Sequence, residues 1–308
     1  MKPALVTGCA GFIGSVLTRR LLARGGDVVG FDNYSRGSAD AIGDLLRHPR
    51  FTFVEGDVRS PDDVARAFAR APQAVFHLAA RHFIPECAAD PVGTYEINVI
   101  GTERVWETAR AAGVDRVFFM STGDVYKPSS SAHAESDPIG PFNVYGVSKL
   151  VSELSLGVAR EGHRPRLTIV RMFNVYGPGD RNEHLIPAIL AQARAGMCEL
   201  RLGNLWPVRD YIYVDDAADA LIRLLDAAAP PDVVNVGTGG GWTVEQVVRE
   251  LGVAFGFPLR AISVRELQRP VERDTLRPNI DRLAAVTSWR PGRTLSDGLR
   301  EFAAARQS

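Results

Sequence analysis

Apolar side chains dominate short runs at residues 4–7, 27–31, 51–55, 74–78, 116–120 and 167–171, each flanked by turn formers. Between them, 13–23, 61–69, 94–112 and 145–159 repeat their apolar positions at helical spacing. This alternation predicts strand–helix–strand units and a parallel sheet. The strand runs are nearly all apolar instead of apolar at every second residue, as expected when helices cover both faces of the sheet. One more run, 233–237, predicts a late strand returning to the sheet edge. After Arg171 the texture changes: 173–210 is rich in Gly, Pro and Arg, and 241–308 mixes short helical patterns with Pro-rich connections. The expected architecture is α/β. A doubly wound parallel sheet comes from 1–172 plus about 211–240, and a smaller α/β lobe from 173–210 plus about 241–308.

The first strand-to-helix turn reads Thr7-Gly8-Cys9-Ala10-Gly11-Phe12-Ile13-Gly14. Glycines there let backbone approach a pyrophosphate, and the following helix N-terminus adds N–H groups and partial positive charge. Asp32 lies 18 residues beyond Gly14. Its carboxylate suits the adenosine ribose hydroxyls and repels a 2′-phosphate, which favours NAD over NADP. Arg36 is close enough in sequence to weaken that preference. Asp57, in Glu55-Gly56-Asp57-Val58, suits either the adenine amino group or a turn cap, and spacing does not decide between them. Cys9 reads as a small residue tolerated in the turn, since nothing nearby is evidently basic.

Composition narrows the partners. The 36 basic and 36 acidic side chains cancel, so no net field gathers a nucleic-acid backbone and any phosphate must be held locally. Three cysteines, Cys9, Cys87 and Cys198, lack C-x-x-C spacing, which argues against a disulfide framework or a metal site. No run of about 18 apolar residues spans a membrane, and the first residues run into a strand without a signal-peptide pattern. A soluble cytoplasmic protein is expected.

Two segments carry candidate chemistry: Met120-Ser121-Thr122-Gly123-Asp124-Val125-Tyr126 at a strand end, and Asn143-Val144-Tyr145-Gly146-Val147-Ser148-Lys149 opening a helix. Residues four apart share a helix face, so Tyr145 and Lys149 point the same way. A phenol with a pKa of about 10 is a poor base at neutral pH. A neighbouring ammonium favours the phenolate and makes the pair a general base/acid for a sugar hydroxyl. Thr122 can hydrogen-bond the same oxygen.

With these motifs the chain resembles the extended short-chain dehydrogenase/reductase family, in its NAD-dependent epimerase/dehydratase branch. Further matching segments are Asp32-Asn33, Gly56-Asp57-Val58, His77-Leu78-Ala79-Ala80 and Asn98-Val99-x-Gly101-Thr102. So are 171–179, from Arg171 through Asn174 to Gly179, and 209–216, from Arg209 to Asp216. The resemblance implies a Rossmann-like cofactor domain holding NAD through Gly8, Gly11, Phe12, Ile13, Gly14, Asp32, Asn33, Asp57, Val58, Leu78, Ala79, Ala80 and Asn98, with Phe173 near the nicotinamide. It implies a nucleotide-diphosphate sugar held by Thr122, Asn174, His184, Leu185, Arg209 and Arg269, with Arg273 a rival for Arg269. It also implies a homodimer through a four-helix bundle built from 94–112 and 145–159, to which Val99, Val105, Trp106, Leu150 and Leu154 could contribute or instead serve the core.

The implied reaction begins by oxidising sugar C4 while Tyr145 takes the O4 proton. A 4-epimerase needs nothing else. A 4,6-dehydratase needs an added acid and base, and in such enzymes Asp then Glu commonly follow the threonine. Here Gly123 and Asp124 follow, which favours the epimerase and leaves Asp124 either a single acid/base or a structural carboxylate. A 4-keto sugar-nucleotide reductase is a third reading. Lys127, where the family usually has glycine, puts the pocket's shape in question.

Overall fold

The computed structural model describes residues 3–159, 164–182, 184–268 and 272–305. Six strands follow in chain order: β1 (Ala4–Thr7), β2 (Val28–Asp32), β3 (Phe51–Glu55), β4 (Ala74–His77), β5 (Arg116–Thr122) and β6 (Arg166–Met172). With Val233–Val236 they form one seven-stranded sheet in the order Val233–Val236, β6, β5, β4, β1, β2, β3. Every pairing in it is parallel. The direction of winding reverses between β1 and β4, and ligands of such sheets bind beyond the carboxyl ends of the strands at that reversal.

Adjacent residues on a strand point to opposite faces, and here both destinations are apolar. Val6, Phe76, Phe118 and Val170 pack with Leu17, Leu21, Leu221 and Leu224 on one face. Their neighbours Leu5, Val75, Val117 and Phe119 pack with Val64, Phe68, Trp106 and Leu156 on the other. That is why the strand runs lack a two-residue period.

The predicted helix 94–112 is not uniform. Pro91–Tyr95 and Gly101–Ala111 are α-helical, and Glu96–Ile100 between them is a π-turn. Asn98 sits in that widened turn and explains it. Its side chain accepts from the Arg81 N–H (2.8 Å) and donates to the Arg81 carbonyl (2.8 Å) and the Ser148 hydroxyl (2.9 Å). Such bulges mark places where a side chain bonds outside the helix ladder.

Among the described residues the smaller lobe has three short sheets, one of which takes in Tyr211–Tyr213, a few residues past the boundary expected near 211. Asn174–Tyr176 pairs with Tyr211–Tyr213, Glu199–Leu202 with Arg260–Ser263, and Val208–Arg209 lies between Trp242–Thr243 and Thr275–Leu276. Helices Leu185–Arg194, Val244–Phe255 and Leu295–Ala304 close over them around Ile189, Leu200, Val247 and Leu299. The last stretch is shared between the two parts, because Leu283 and Trp289 pack into the core of the large sheet. Among the described residues, no helix is long and apolar enough to cross a membrane.

Candidate functional site

Beyond the carboxyl ends of the large sheet lies a cleft of about 1600 Å³, bounded on its far side by the smaller lobe. Its floor is the first turn. Gly8 has φ +74°, and a methyl group on Gly14 would sit 2.0 Å from the Gly8 carbonyl oxygen, so helix α1 (Phe12–Ala23) can approach β1 only with glycine at both places. The cap of α1, Gly11, has no side chain to occupy the first-turn N–H groups. That leaves a cradle for a diphosphate. Asp32 ends β2 and is buried, with one oxygen accepting from the Ala10 N–H (2.9 Å) and the other from the Tyr34 N–H (2.8 Å). Burial raises its pKa, and these backbone donors oppose that. Asn33 donates to Asp57 (2.8 Å), and Arg59 also binds Asp57 and holds that carboxyl down at about 2. Arg36 is engaged elsewhere, paired with Glu86 and lying over the Phe83 ring.

A buried relay braces the cofactor side. His77 bonds Thr7 Oγ1 (2.7 Å) and Thr102 Oγ1 (2.9 Å), and Thr7 Oγ1 accepts from the Ala79 N–H (3.2 Å). Burial, aided by the Lys149 charge, holds the imidazole pKa down at about 3, so it is neutral.

The predicted chemical group assembles. Thr122 ends β5, and its hydroxyl hydrogen-bonds that of Tyr145, near the start of helix Val144–Ala159. Lys149 follows one turn later, buried, with Nζ 4.9 Å from the centre of the Phe119 ring. Their titration differs from the simple expectation. Burial lowers Lys149 to about 7, so at neutral pH it is only partly an ammonium. Burial and then the Asp124 carboxylate raise Tyr145, and the Thr122 hydrogen bond works the other way. The phenolate therefore needs a further positive charge beside it. Behind this group, Glu153 and Arg171 form a buried ion pair (2.7 Å), and Glu153 also accepts from the Ser121 hydroxyl.

Gly8, Gly11, Phe12, Ile13, Gly14, Asp32, Asn33, Asp57, Val58, Leu78, Ala79, Ala80, Thr122, Asp124, Tyr145, Lys149 and Phe173 all line the cleft. Asn174, His184, Leu185 and Arg209 line it from the lobe side. Asn98 differs from expectation: it is fully buried and not among the lining residues, and it holds the Arg81 backbone and Ser148. Lys127 is exposed and outside the lining, so it does not shape the pocket. Arg269 lies outside the described residues. Its rival Arg273 lines the cleft but is almost fully buried, with its guanidinium turned onto the turn after Thr122 and donating to the carbonyls of Asp124 and Tyr126 (2.7 Å each).

Sequence reasoning missed several lining residues. His82 lies edge-on to His184 at 6.2 Å and bonds Asn182 (3.1 Å), and Glu272 binds Arg209. Arg201 and Tyr211 also face the cleft. No spacing announces these residues, because their partners are distant in the chain.

Comparison with known proteins bears on this geometry. The sequence model of the "NAD dependent epimerase/dehydratase family" matches residues 4–237. A UDP-glucose 4-epimerase of Mycolicibacterium smegmatis is 35% identical over 302 residues, covering 96% of this chain and 95% of that protein. A GDP-6-deoxy-D-mannose reductase of Pseudomonas aeruginosa is 30% identical over 308 residues, covering 96% and 94%. The crystal structure of Thermus thermophilus UDP-glucose 4-epimerase in complex with NAD superposes with a TM-score of 0.87 at 30% identity, covering 98% of this chain and 97% of that one.

Proposed function

The chain belongs to the NAD-dependent epimerase/dehydratase family, and we propose that within it the protein is a UDP-hexose 4-epimerase in which Tyr145 moves the proton at O4. One observation carries the choice of reaction. A methyl group on Gly123 would lie 2.9–3.1 Å from atoms of the Phe173 ring, so the position directly after Thr122 has no room for an acid unless that ring moves. Asp124, the next residue, faces Arg273 across 3.5 Å. The added acid–base pair that a 4,6-dehydratase needs is therefore not provided there, whereas Thr122, Tyr145 and Lys149 suffice for an epimerase.

The glycine cradle, Asp32 and Asp57 fit NAD, which supplies, when bound, the acceptor and donor of the C4 hydride and, in its oxidised form, a positive charge. The chain's own residues do the rest. Thr122 and Tyr145 together hold O4, and Tyr145 takes its proton as the alcohol becomes a ketone. Lys149 lends charge to the phenolate from within the same helix. Once the keto sugar has presented its other face, Tyr145 returns the proton to O4. Asn174, His184, Leu185, Arg209 and Arg269 hold the nucleotide diphosphate, since guanidinium forks match phosphate oxygens. The large sheet thus serves the cofactor and the smaller lobe the substrate.

The same reading includes a homodimer through helices Gly101–Ala111 and Val144–Ala159. In support, Val151, Leu154 and Val158 are exposed on the second of these, beside exposed Ile100. Val105 and Trp106 are buried core residues and are not available for it. A reducing cytoplasm suits the three free thiols, Cys9, Cys87 and Cys198.

The test is incubation of purified protein with UDP-, GDP-, dTDP- and CDP-hexoses without added cofactor, read by mass spectrometry and proton NMR. A product of unchanged mass with inverted C4 coupling is expected. A product lighter by one water makes the protein a dehydratase with Asp124 as acid/base. Turnover only of a 4-keto sugar nucleotide, with added reduced cofactor, makes it a reductase.

A further inference from the structure

Arg273 is the rival of Arg269 for the diphosphate contact that the family resemblance implies, yet it is only 2% exposed. Its two terminal nitrogens donate to the carbonyls of Asp124 and Tyr126, and its Nε faces the Asp124 carboxylate at 3.5 Å. The guanidinium plane lies over the Phe142 ring at 4.6 Å. All three polar contacts fall on the turn Gly123–Val125 and its neighbour, the turn that follows Thr122. On the other side, a methyl group on Gly146 would sit 2.8 Å from the Asp124 carbonyl. The helix carrying Tyr145 is thus seated directly against the turn that Arg273 fastens.

We propose that Arg273 is a positioning residue for the proton transfer. It fixes the Thr122–Asp124 turn against the Tyr145 helix and offsets the Asp124 carboxylate beside Tyr145. This rests on the reading of Tyr145 as the base. The groups that face Tyr145 are Asp124 from the turn, Cys87 from helix Ile84–Ala89 and the Thr122 hydroxyl, with Lys149 one turn further along its own helix. Behind Asp124 stand Arg273 and, beyond it, Arg209 with Glu272. An unbalanced carboxylate next to a phenol favours the protonated form. Removing the Arg273 cation therefore makes Tyr145 harder to ionise.

The experiment uses the holoenzyme with UDP-glucose and follows kcat and KM from pH 6 to 10. Arg273→Met is expected to move the rising limb of kcat upward by about one pH unit, so activity near neutrality falls about tenfold and returns at alkaline pH, with KM little changed. Arg273→Lys keeps the limb in place but lowers kcat, because the charge stays and the fork is lost. Arg273→Met/Asp124→Asn brings the limb back. If Arg273→Met does not fold, Asp124→Asn alone must move the limb to lower pH. A kcat reduced equally at every pH, or a rise in KM alone, overturns the proposal, the latter in favour of diphosphate binding. Tyr145→Phe separates the two readings: full turnover by that variant removes Tyr145 as the base whatever Arg273 does.

Discussion

Replacing Lys149 with methionine should make the cofactor-free protein more stable at neutral pH while abolishing its proposed chemistry. Lys149 is 2% exposed, and burial lowers its pKa from 10.5 to about 7. At about 1.4 kcal/mol per pH unit, holding this lysine in the fold costs on the order of 5 kcal/mol below pH 7, and about 4 kcal/mol at pH 7 itself. The sign follows from proton binding. Between pH 7 and 10.5 the unfolded lysine still carries its proton and the folded one has lost it. Stability therefore rises with pH across that window, and the cost is gone above it. Methionine is a flexible apolar side chain of similar length, and it forfeits only the contact of Nζ with the Phe119 ring, about 1 kcal/mol. The net gain should be about 3 kcal/mol at pH 7 and should shrink towards zero by pH 10. Urea denaturation of cofactor-stripped wild type and Lys149→Met at pH 7, 8.5 and 9.5 measures it. A variant less stable than wild type at pH 7, or a gain that does not change with pH, would show that Lys149 is not a strained cation.

Two further outcomes follow from the surroundings of the site. Arg171→Met removes the cation paired with the buried Glu153 carboxylate, which keeps the Ser121 hydroxyl, and should destabilise the fold by about 3–5 kcal/mol. Arg171→Met/Glu153→Leu should regain most of that loss in the same denaturation assay, and a double variant as weak as the single one would contradict the pairing. Gly14→Ala places a methyl group 2.0 Å from the Gly8 carbonyl oxygen. Isothermal titration with NAD should then show affinity at least tenfold weaker, and unchanged affinity would mean that this turn is not the cofactor's cradle.

Much of the fold was written locally. Six apolar runs, with the later run 233–237, name the seven strands of the large sheet to within two residues at each end, because a strand buried on both faces is nearly all apolar. The Gly8–Gly14 turn was legible for the same kind of reason: its constraint is a contact between backbone atoms a few residues apart. Tyr145 and Lys149 were legible because four residues make one helical turn.

The departures are long-range. In the chain Arg273 is a rival of Arg269 for a diphosphate contact, and only the docking of the lobe shows that its guanidinium is held by the carbonyls of Asp124 and Tyr126, 149 and 147 residues away. Glu272 meets Arg209 across 63 residues. Asn98 looks like a cofactor contact until the π-turn and the Arg81 backbone draw it inward. The titration of Lys149 and Tyr145 belongs to the same class, since burial and the Asp124 charge set it and neither is a property of their spacing. The sequence by itself determined the elements, their covered faces, the glycine cradle and the tyrosine–lysine pair, all of which depend on neighbours within about one turn or one strand. Which cations are free to meet a diphosphate, and how hard the tyrosine is to ionise, only the tertiary structure decided, because both depend on charges and burial brought together by chain segments far apart.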